Sequence, residues 1–432
     1  MKGKTLNKFC AQVTLWRTFA AFAVVFVLIV SNSWSGVVHA LEPEERSELP
    51  ADRFGLNSEA AILMDAATGK VLYEKNSKRL MYPASITKIV TGIIAIEQGN
   101  LDDIVTVSKN AREADGTRVY LLEGEEVPLL KLVQGLLINS GNDAGIAIAE
   151  HMDGSESRFA ERMNHFVRET IGVQDTTFRN PHGLFDPEHQ TTAYDMALIT
   201  QYAMNNEQFR SIVGTEELEW IGEGWETTLH NHNLLLKRYE GTTGVKNGYV
   251  SQSGNTLVSS AKRGNTEWIT VTLKADSAEL AYEDTTTLFD YGFEHFRTHH
   301  VDIKADEFSA FSGRYRFPDK LVFTGKVNDT FTTTLDETSH ELKVTNQEGE
   351  TVHIEPLIIT QPQTELADEE AAEKQTDSLY TEAVFSSLQG QAISSKLSTG
   401  FSFIGLIFIL FLLLCFRKIV RQYRSKDQQL RK

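Results

Sequence analysis

A hydroxyl and an amine stand three residues apart in Ser85-Ile86-Thr87-Lys88. On a helix that spacing places both side chains on one face, a turn apart. Serine at its free pKa is a weak nucleophile and needs a positioned base. Lysine can be that base when burial and a neighbouring cation hold it neutral, and a helix N-terminus favours negative charge developing on the serine oxygen. Taken alone the quartet decides little, because a chain of 432 residues contains about one or two such quartets by chance. A helix cap followed by a surface lysine would read the same. Two further groups follow in order, Ser140-Gly141-Asn142 and Lys246-Asn247-Gly248. With Ser85 and Lys88 they bring together hydroxyls, amines and an amide, the parts of an acyl transfer through a serine ester.

These groups need a scaffold, and the pattern around them supplies one. The run Ala-Ala-Ile-Leu-Met-Asp after Glu59, the turn Ala67-Thr68-Gly69-Lys70 and Val71-Leu72-Tyr73 read as a hairpin. Ile86, Ile89, Val90, Ile93, Ile94 and Ile96 mark a largely buried helix over 85–98, ended by Gly99. Helices over 129–137 and 144–152 flank the break at Asn139-Ser140-Gly141-Asn142, and 192–205 reads as another. Residues 249–274 alternate like a strand pair turning at Arg263-Gly264-Asn265, and 280–296 closes with a helix. The expectation is an α/β body with an antiparallel sheet over 41–297. A small all-β domain over 298–360 follows, with strands at 321–324, 331–335 and 341–345. Residues 361–396 read as an acidic linker.

The order and spacing of the three groups resemble the S-x-x-K, S-x-N and K-T-G motifs of penicillin-recognising serine enzymes. The stretches PASITKIVT, GLLINSGNDAGIAIAEH, NPHGLFDPEHQTTAYDMALI, HNHNLLLKRYEGTTGVKNGY and YEDTTTLFDYGFEHF sharpen this. They resemble the low-molecular-mass D-alanyl-D-alanine carboxypeptidases, peptidase family S11, over roughly residues 59–297. The resemblance implies a β-lactamase/transpeptidase-like fold and the following roles. Ser85 attacks the penultimate D-alanine carbonyl, and Lys88 takes its proton. Ser140 relays a proton to the departing D-alanine, and Asn142 bonds the substrate amide. Lys246 meets the substrate's terminal carboxylate and lowers the pKa of Lys88. Asn247, Gly248 and Tyr249 complete the binding edge, with the backbone amides of Ser85 and Tyr249 as oxyanion hole. β-Lactams would acylate Ser85 in the same way. One position departs from the pattern, Asn247 standing where the family has threonine; an asparagine amide also donates to an anion.

Other polar residues carry less. Asn180, His182 and Gly183 match a family loop, with His182 read as structural, and Asn231-His232-Asn233 reads as a tether for the strand before Lys246. His299-His300 opens the β domain without ligand spacing, so neither a metal nor any other cofactor is expected. Glu97 and Asp143 read as solvated or capping carboxylates.

Both ends of the chain point to a membrane. Lys2, Lys4, Lys8 and Arg17 precede an apolar run over 19–30 and then Val38-His39-Ala40, the pattern of a signal peptide over 1–40. A second apolar run over 397–416 is long enough for a transmembrane helix, and the basic tail over 417–432 assigns its end to the cytoplasm. The catalytic body would then sit on the extracytoplasmic side of the cell membrane. The chain's two cysteines, Cys10 and Cys415, fall in the signal segment and the second apolar run, which excludes thiol chemistry and disulfides from the body. A net charge of −17 argues against a nucleic-acid partner.

The sequence therefore points to a membrane-anchored serine carboxypeptidase. It would trim the terminal D-alanine from peptidoglycan pentapeptide stems and so limit cross-linking. Two alternatives share the fold: a D,D-endopeptidase, and a catalytically weakened penicillin-binding module that engages the wall. A β-lactamase fits less well, because no second carboxylate suited to rapid deacylation stands out.

Overall fold

The computed structural model describes residues 53–303 and 307–360. The expected signal peptide, acidic linker, transmembrane helix and basic tail lie outside the described residues. Among the described residues, no helix is long and apolar enough to cross a membrane.

The body is built on a five-stranded antiparallel sheet. In chain order its strands are β1 (Ala60–Asp65), β2 (Val71–Lys75), β3 (Thr242–Val250), β4 (Gly254–Arg263) and β5 (Thr266–Ala275), and across the sheet they run β2-β1-β5-β4-β3. Every residue of β1 is buried. Its alternate side chains reach opposite faces: Ala60, Ile62 and Met64 join the larger core, Ala61 and Leu63 the smaller. Burial on both faces explains why this strand reads as an unbroken apolar run rather than an alternating one.

On the larger core side lie α1 (Lys88–Gln98), α2 (Leu129–Ile138), α3 (Asn142–Asp153), α4 (Glu156–Phe166) and α5 (Ala193–Met204). On the other face α6 (Ala278–His295) packs Leu288, Phe289 and Phe293 against Trp268 and Leu257. Each expected helix is present, with its ends displaced by a few residues. The sheet holds more than the expected strand pair: β3 begins at Thr242, well before Tyr249. Its Thr-Thr-Gly-Val-Lys-Asn-Gly text has no alternation to betray it, because Val245 is its one apolar side chain in the larger core and glycines take the neighbouring positions.

The β region begins with β6 (Phe296–Asp302), which straddles position 297 and pairs with β7 (Lys320–Lys326). A three-stranded sheet of β8 (Phe331–Asp336), β9 (Glu341–Asn346) and β10 (Thr351–Pro356) follows. His299 on β6 stacks on Phe323 of β7. Of the described residues, a separate small unit holds Ser309–Arg316 and 358–360, where Tyr315–Arg316 pairs with Ile358–Ile359.

A buried carboxylate ties both β6 and β7 to the five-stranded sheet, beside a direct bond from Thr298 N to Thr266 Oγ1 at 3.0 Å. Asp65, at the end of β1, is fully buried. Its Oδ2 accepts from Thr298 Oγ1 and Thr324 Oγ1, both at 2.8 Å. Those two threonines face each other in the β6–β7 register. Thr324 gives its proton to Asp65, so the Thr68 hydroxyl 2.6 Å away is the donor to Thr324. Removing the carboxylate strands two buried hydroxyls, at about 1–3 kcal/mol each. Asp65→Ala should lower unfolding stability by about 2–4 kcal/mol in a denaturant titration; a midpoint equal to the wild type would show that Asp65 is not the fastening point.

Candidate active site

Ser85 lies in a 3-10 turn, Ala84–Thr87, that leads directly into α1 at Lys88. The sequence pattern places Ser85 inside an α-helix; the tighter turn replaces it here. With three residues per turn, side chains at i and i+3 eclipse, so Lys88 comes directly over Ser85. Their Nζ and Oγ are 3.0 Å apart.

The turn is clamped from several sides. Ala84 takes a left-handed φ of 52°, rare for a residue with a side chain. Thr256 Oγ1 on β4 donates to the Pro83 carbonyl at 2.9 Å. Thr87 Oγ1 pairs with His189 Nε2 at 2.8 Å. The backbone of Gly183, with a φ of 88°, lies so close to the Ala84 carbonyl that any β-carbon there would overlap it. Strand β3 approaches as closely: a β-carbon on Gly248 would lie 2.6 Å from the Ser85 amide nitrogen. Glycine is thus required at both walls of the Ser85 turn.

Lys88 is fully buried. Besides Ser85 Oγ, its Nζ meets Asn142 Oδ1 at 2.7 Å and the His182 carbonyl at 2.5 Å. Burial pushes its pKa well below the ordinary lysine value, and the charge of Lys246 lowers it further. A neutral amine has two N–H donors and one lone pair. The Asn142 and His182 oxygens can only accept, so they take the two donors, and the lone pair is left facing the Ser85 hydroxyl. That is the hydrogen-bond pattern of a base ready to receive the serine proton.

Ser140 ends the break between α2 and α3 in a left-handed conformation, φ 65°, and is buried. Backbone of this kind persists only where the surroundings enforce it. Asn142 opens α3, with its amide nitrogen donating to the Thr117 carbonyl at 2.7 Å and its Nδ2 to the Asp115 carbonyl at 2.6 Å. Both ends of the Asn142 side chain are therefore engaged within the protein, and it bridges Lys88 to the 115–117 loop. Asp143 is a correction to the sequence reading: it is fully buried rather than solvated. Its carboxylate accepts from the backbone amides of Val119, Leu121 and Ala144. It fixes the loop that cradles the Ser140–Asn142 segment.

Lys246 stands on β3, buried, with Nζ 3.0 Å from the Asn247 carbonyl and 3.3 Å from Asn247 Oδ1. Burial lowers its pKa to about 7. Asn247 thus turns its side-chain oxygen toward Lys246, a contact that donates from the lysine and leaves the Asn247 Nδ2 protons for another acceptor. Tyr249 is exposed at 63% beyond Gly248. The Asn231-His232-Asn233 tether is present: Asn233 Nδ2 donates to the Gly244 carbonyl at 2.7 Å, and Asn231 Nδ2 to the Val213 and Thr215 carbonyls. His232 is pushed down to about 4 by burial and by the charges of Lys246 and Lys88, and so stays neutral beside them.

Several contributors escaped the sequence reading. His189, within the quoted loop text, accepts the Arg179 amide at Nδ1, carries its proton toward Thr87, and is held neutral by burial with a pKa of about 3. The His182 backbone carbonyl and Thr256 act through positions that no residue-type pattern reveals. His182 itself is structural as expected in its ring contacts, yet its carbonyl touches the base.

Comparisons with known proteins identify the family. Residues 46–277 match the family model described as D-alanyl-D-alanine carboxypeptidase. The chain is 36% identical over 249 residues to D-alanyl-D-alanine carboxypeptidase DacF of Bacillus subtilis, a match covering 56% of this chain and 64% of that protein. It is 34% identical over 250 residues to D-alanyl-D-alanine carboxypeptidase DacD of Escherichia coli, covering 55% and 63% respectively. The chain thus spans somewhat less than two thirds of the length of these curated relatives. Among solved structures, penicillin-binding protein 6B from Escherichia coli aligns with a TM-score of 0.61 and 27% identity, over 71% of this chain and 96% of that one. The clamped Ser85–Lys88 turn, the Ser140–Asn142 segment and the Lys246 strand therefore lie in a chain that belongs to the D-alanyl-D-alanine carboxypeptidases, peptidase family S11.

Proposed function

We propose that this protein is a serine-type D-alanyl-D-alanine carboxypeptidase that removes the terminal D-alanine from peptidoglycan stem peptides. The observation that carries the reading is the buried amine of Lys88, 3.0 Å from Ser85 Oγ, with both its N–H donors committed elsewhere. In the proposed reaction Lys88 Nζ takes the hydroxyl proton as Ser85 Oγ bonds to the penultimate D-alanine carbonyl carbon. The oxyanion lies between the amides of Ser85 and Tyr249, the two segments brought together by the Gly248 approach. The C–N bond then breaks as the proton held by Lys88 passes through the Ser140 hydroxyl to the departing D-alanine amine, which leaves Lys88 neutral again. A water molecule, deprotonated by Lys88, adds to the ester carbonyl; the C–Oγ bond breaks, and Lys88 returns the proton to Ser85 Oγ. Lys246 and the Asn247 amide protons bind the terminal carboxylate. A β-lactam carbonyl would enter the same sequence and leave the ester in place.

The placement at the cell membrane, catalytic body outside, rests on the charge and hydropathy of residues 1–40 and 397–432. There the enzyme would remove the donor end that cross-linking needs.

Two outcomes test the reading. The full chain in detergent should release D-alanine from diacetyl-Lys-D-Ala-D-Ala, and Ser85→Ala should abolish release; release that survives Ser85→Ala would remove Ser85 as nucleophile. In the same assay Asn247→Thr should raise turnover if the amide is a weaker carboxylate ligand than the hydroxyl, and a lower rate would show that the asparagine is adapted to its substrate.

The pH profile gives the second test. Lys88 must be neutral to act, so rate falls as pH drops through its depressed pKa. Lys246 must be charged to hold the carboxylate, so kcat/KM should fall as pH rises past about 7. A bound carboxylate raises the pKa of Lys246, so the alkaline limb of kcat should lie higher than that of kcat/KM. Superimposable alkaline limbs would contradict the role given to Lys246.

A further inference from the structure

The carbonyl that fixes Lys88 belongs to His182, and the ring of the same residue leads away from the site to a carboxylate. Leu184 N donates to His182 Nδ1 at 3.2 Å. The neutral imidazole therefore has its proton on Nε2, 3.0 Å from Glu156 Oε2. Glu156 stands in the first turn of α4, and its other oxygen accepts from Asn110 Nδ2 at 3.2 Å. Within the turn, Asn180 Oδ1 accepts from the His182 and Gly183 amides. Those bonds shape the turn but attach it to nothing else. Thr91 Oγ1 on α1 donates to the Pro181 carbonyl at 2.6 Å, and the ring of His182 itself attaches the turn to α4.

We propose that Glu156 is a positioning residue for the general base, holding the His182 carbonyl in place through the imidazole so that Lys88 presents its lone pair to Ser85. The inference rests on the assignment of Ser85 and Lys88 as nucleophile and base. Two covalently linked groups of one residue, a ring held by Glu156 and a carbonyl holding Lys88, form the connection. Neither Glu156 nor the His182 ring touches the substrate in this account. A rotation of the ring away from α4 would carry the 181–184 backbone with it and lengthen the 2.5 Å contact to Nζ. Lys88 would then lose an acceptor that orients it, and its lone pair would no longer be fixed on the serine. The same turn supplies Gly183, which packs on the Ala84 carbonyl, so the nucleophile and the base would be displaced together.

The test compares the wild type, Glu156→Ala and Glu156→Gln in the full chain. It follows the rate of Ser85 acylation by a fluorescent penicillin across pH, with thermal unfolding measured alongside. Glutamine keeps an acceptor oxygen for the His182 Nε2 proton; alanine does not. Glu156→Ala should acylate roughly tenfold more slowly, as small misplacements of catalytic groups do, with its acid limb displaced, and Glu156→Gln should recover most of the rate. The proposal is overturned if Glu156→Ala acylates at the wild-type rate, or if glutamine fails to rescue. A rate loss that merely follows the folded fraction, with the acid limb unmoved, overturns it too. Absence of labelling in the wild type would instead remove the underlying assignment of Ser85 and Lys88.

Discussion

The structure depends on keeping a lysine amine out of water without leaving it charged and alone. An ionised ammonium buried in an apolar interior is costly enough that the group neutralises instead. Lys88 shows how that is arranged. It enters the body at the first turn of a helix whose Ile86, Ile89, Val90, Ile93 and Ile94 are fully buried. The amine then finds the Asn142 and His182 oxygens and the Ser85 hydroxyl. A second buried lysine, Lys246, adds a repulsive charge and lowers the pKa of Lys88 further. The sheet edge, the Ser140 break and the 180–184 turn can each be understood as walls of that enclosure. The glycines at 183 and 248 let two of those walls approach the nucleophile's backbone.

How much of this could be read beforehand follows from where the information resides. Ser85 and Lys88 are three residues apart, and Ser140 with Asn142 two apart, so their pairing is local and visible. The helices at 85–98, 129–137 and 192–205 show themselves by apolar spacing and by the residues that stop them. The strand before Lys246 is legible only as the segment the Asn231–Asn233 tether must hold, because β3 has a single apolar core side chain, Val245, and so no packing period of its own. Asp143 reads as a solvated or capping carboxylate, since an acidic residue at a helix start commonly caps its amides. Only the folded loop shows the backbone amides that accompany it inside. His189, Thr256 and Glu156 act across separations of dozens of residues or more, through partners that no local pattern names. Asp65 is similar: its role comes from two threonines more than two hundred residues away.

Asn247 shows the physical choice at the substrate end. Its oxygen faces Lys246 while its amide protons remain to donate. In the proposed reaction this pair of cation and amide donor would hold the substrate's terminal carboxylate, where the family pattern has a threonine hydroxyl. The neutral His232 adds a polar but uncharged neighbour, so the local positive field rests on Lys246.

The central claim is that Lys88 is a neutral amine at the pH where the protein works. It can be measured directly by introducing lysine labelled with 13C at Cε and following the Lys88 resonance, assigned by its loss in Lys88→Arg, through a pH titration of the unliganded protein. The account predicts a midpoint well below the ordinary lysine value of 10.5, moving upward in Lys246→Ala as the neighbouring charge is removed. A midpoint at or above that ordinary value would mean that Lys88 is a cation beside Ser85, and the proton transfer on which the whole site is built would have no acceptor.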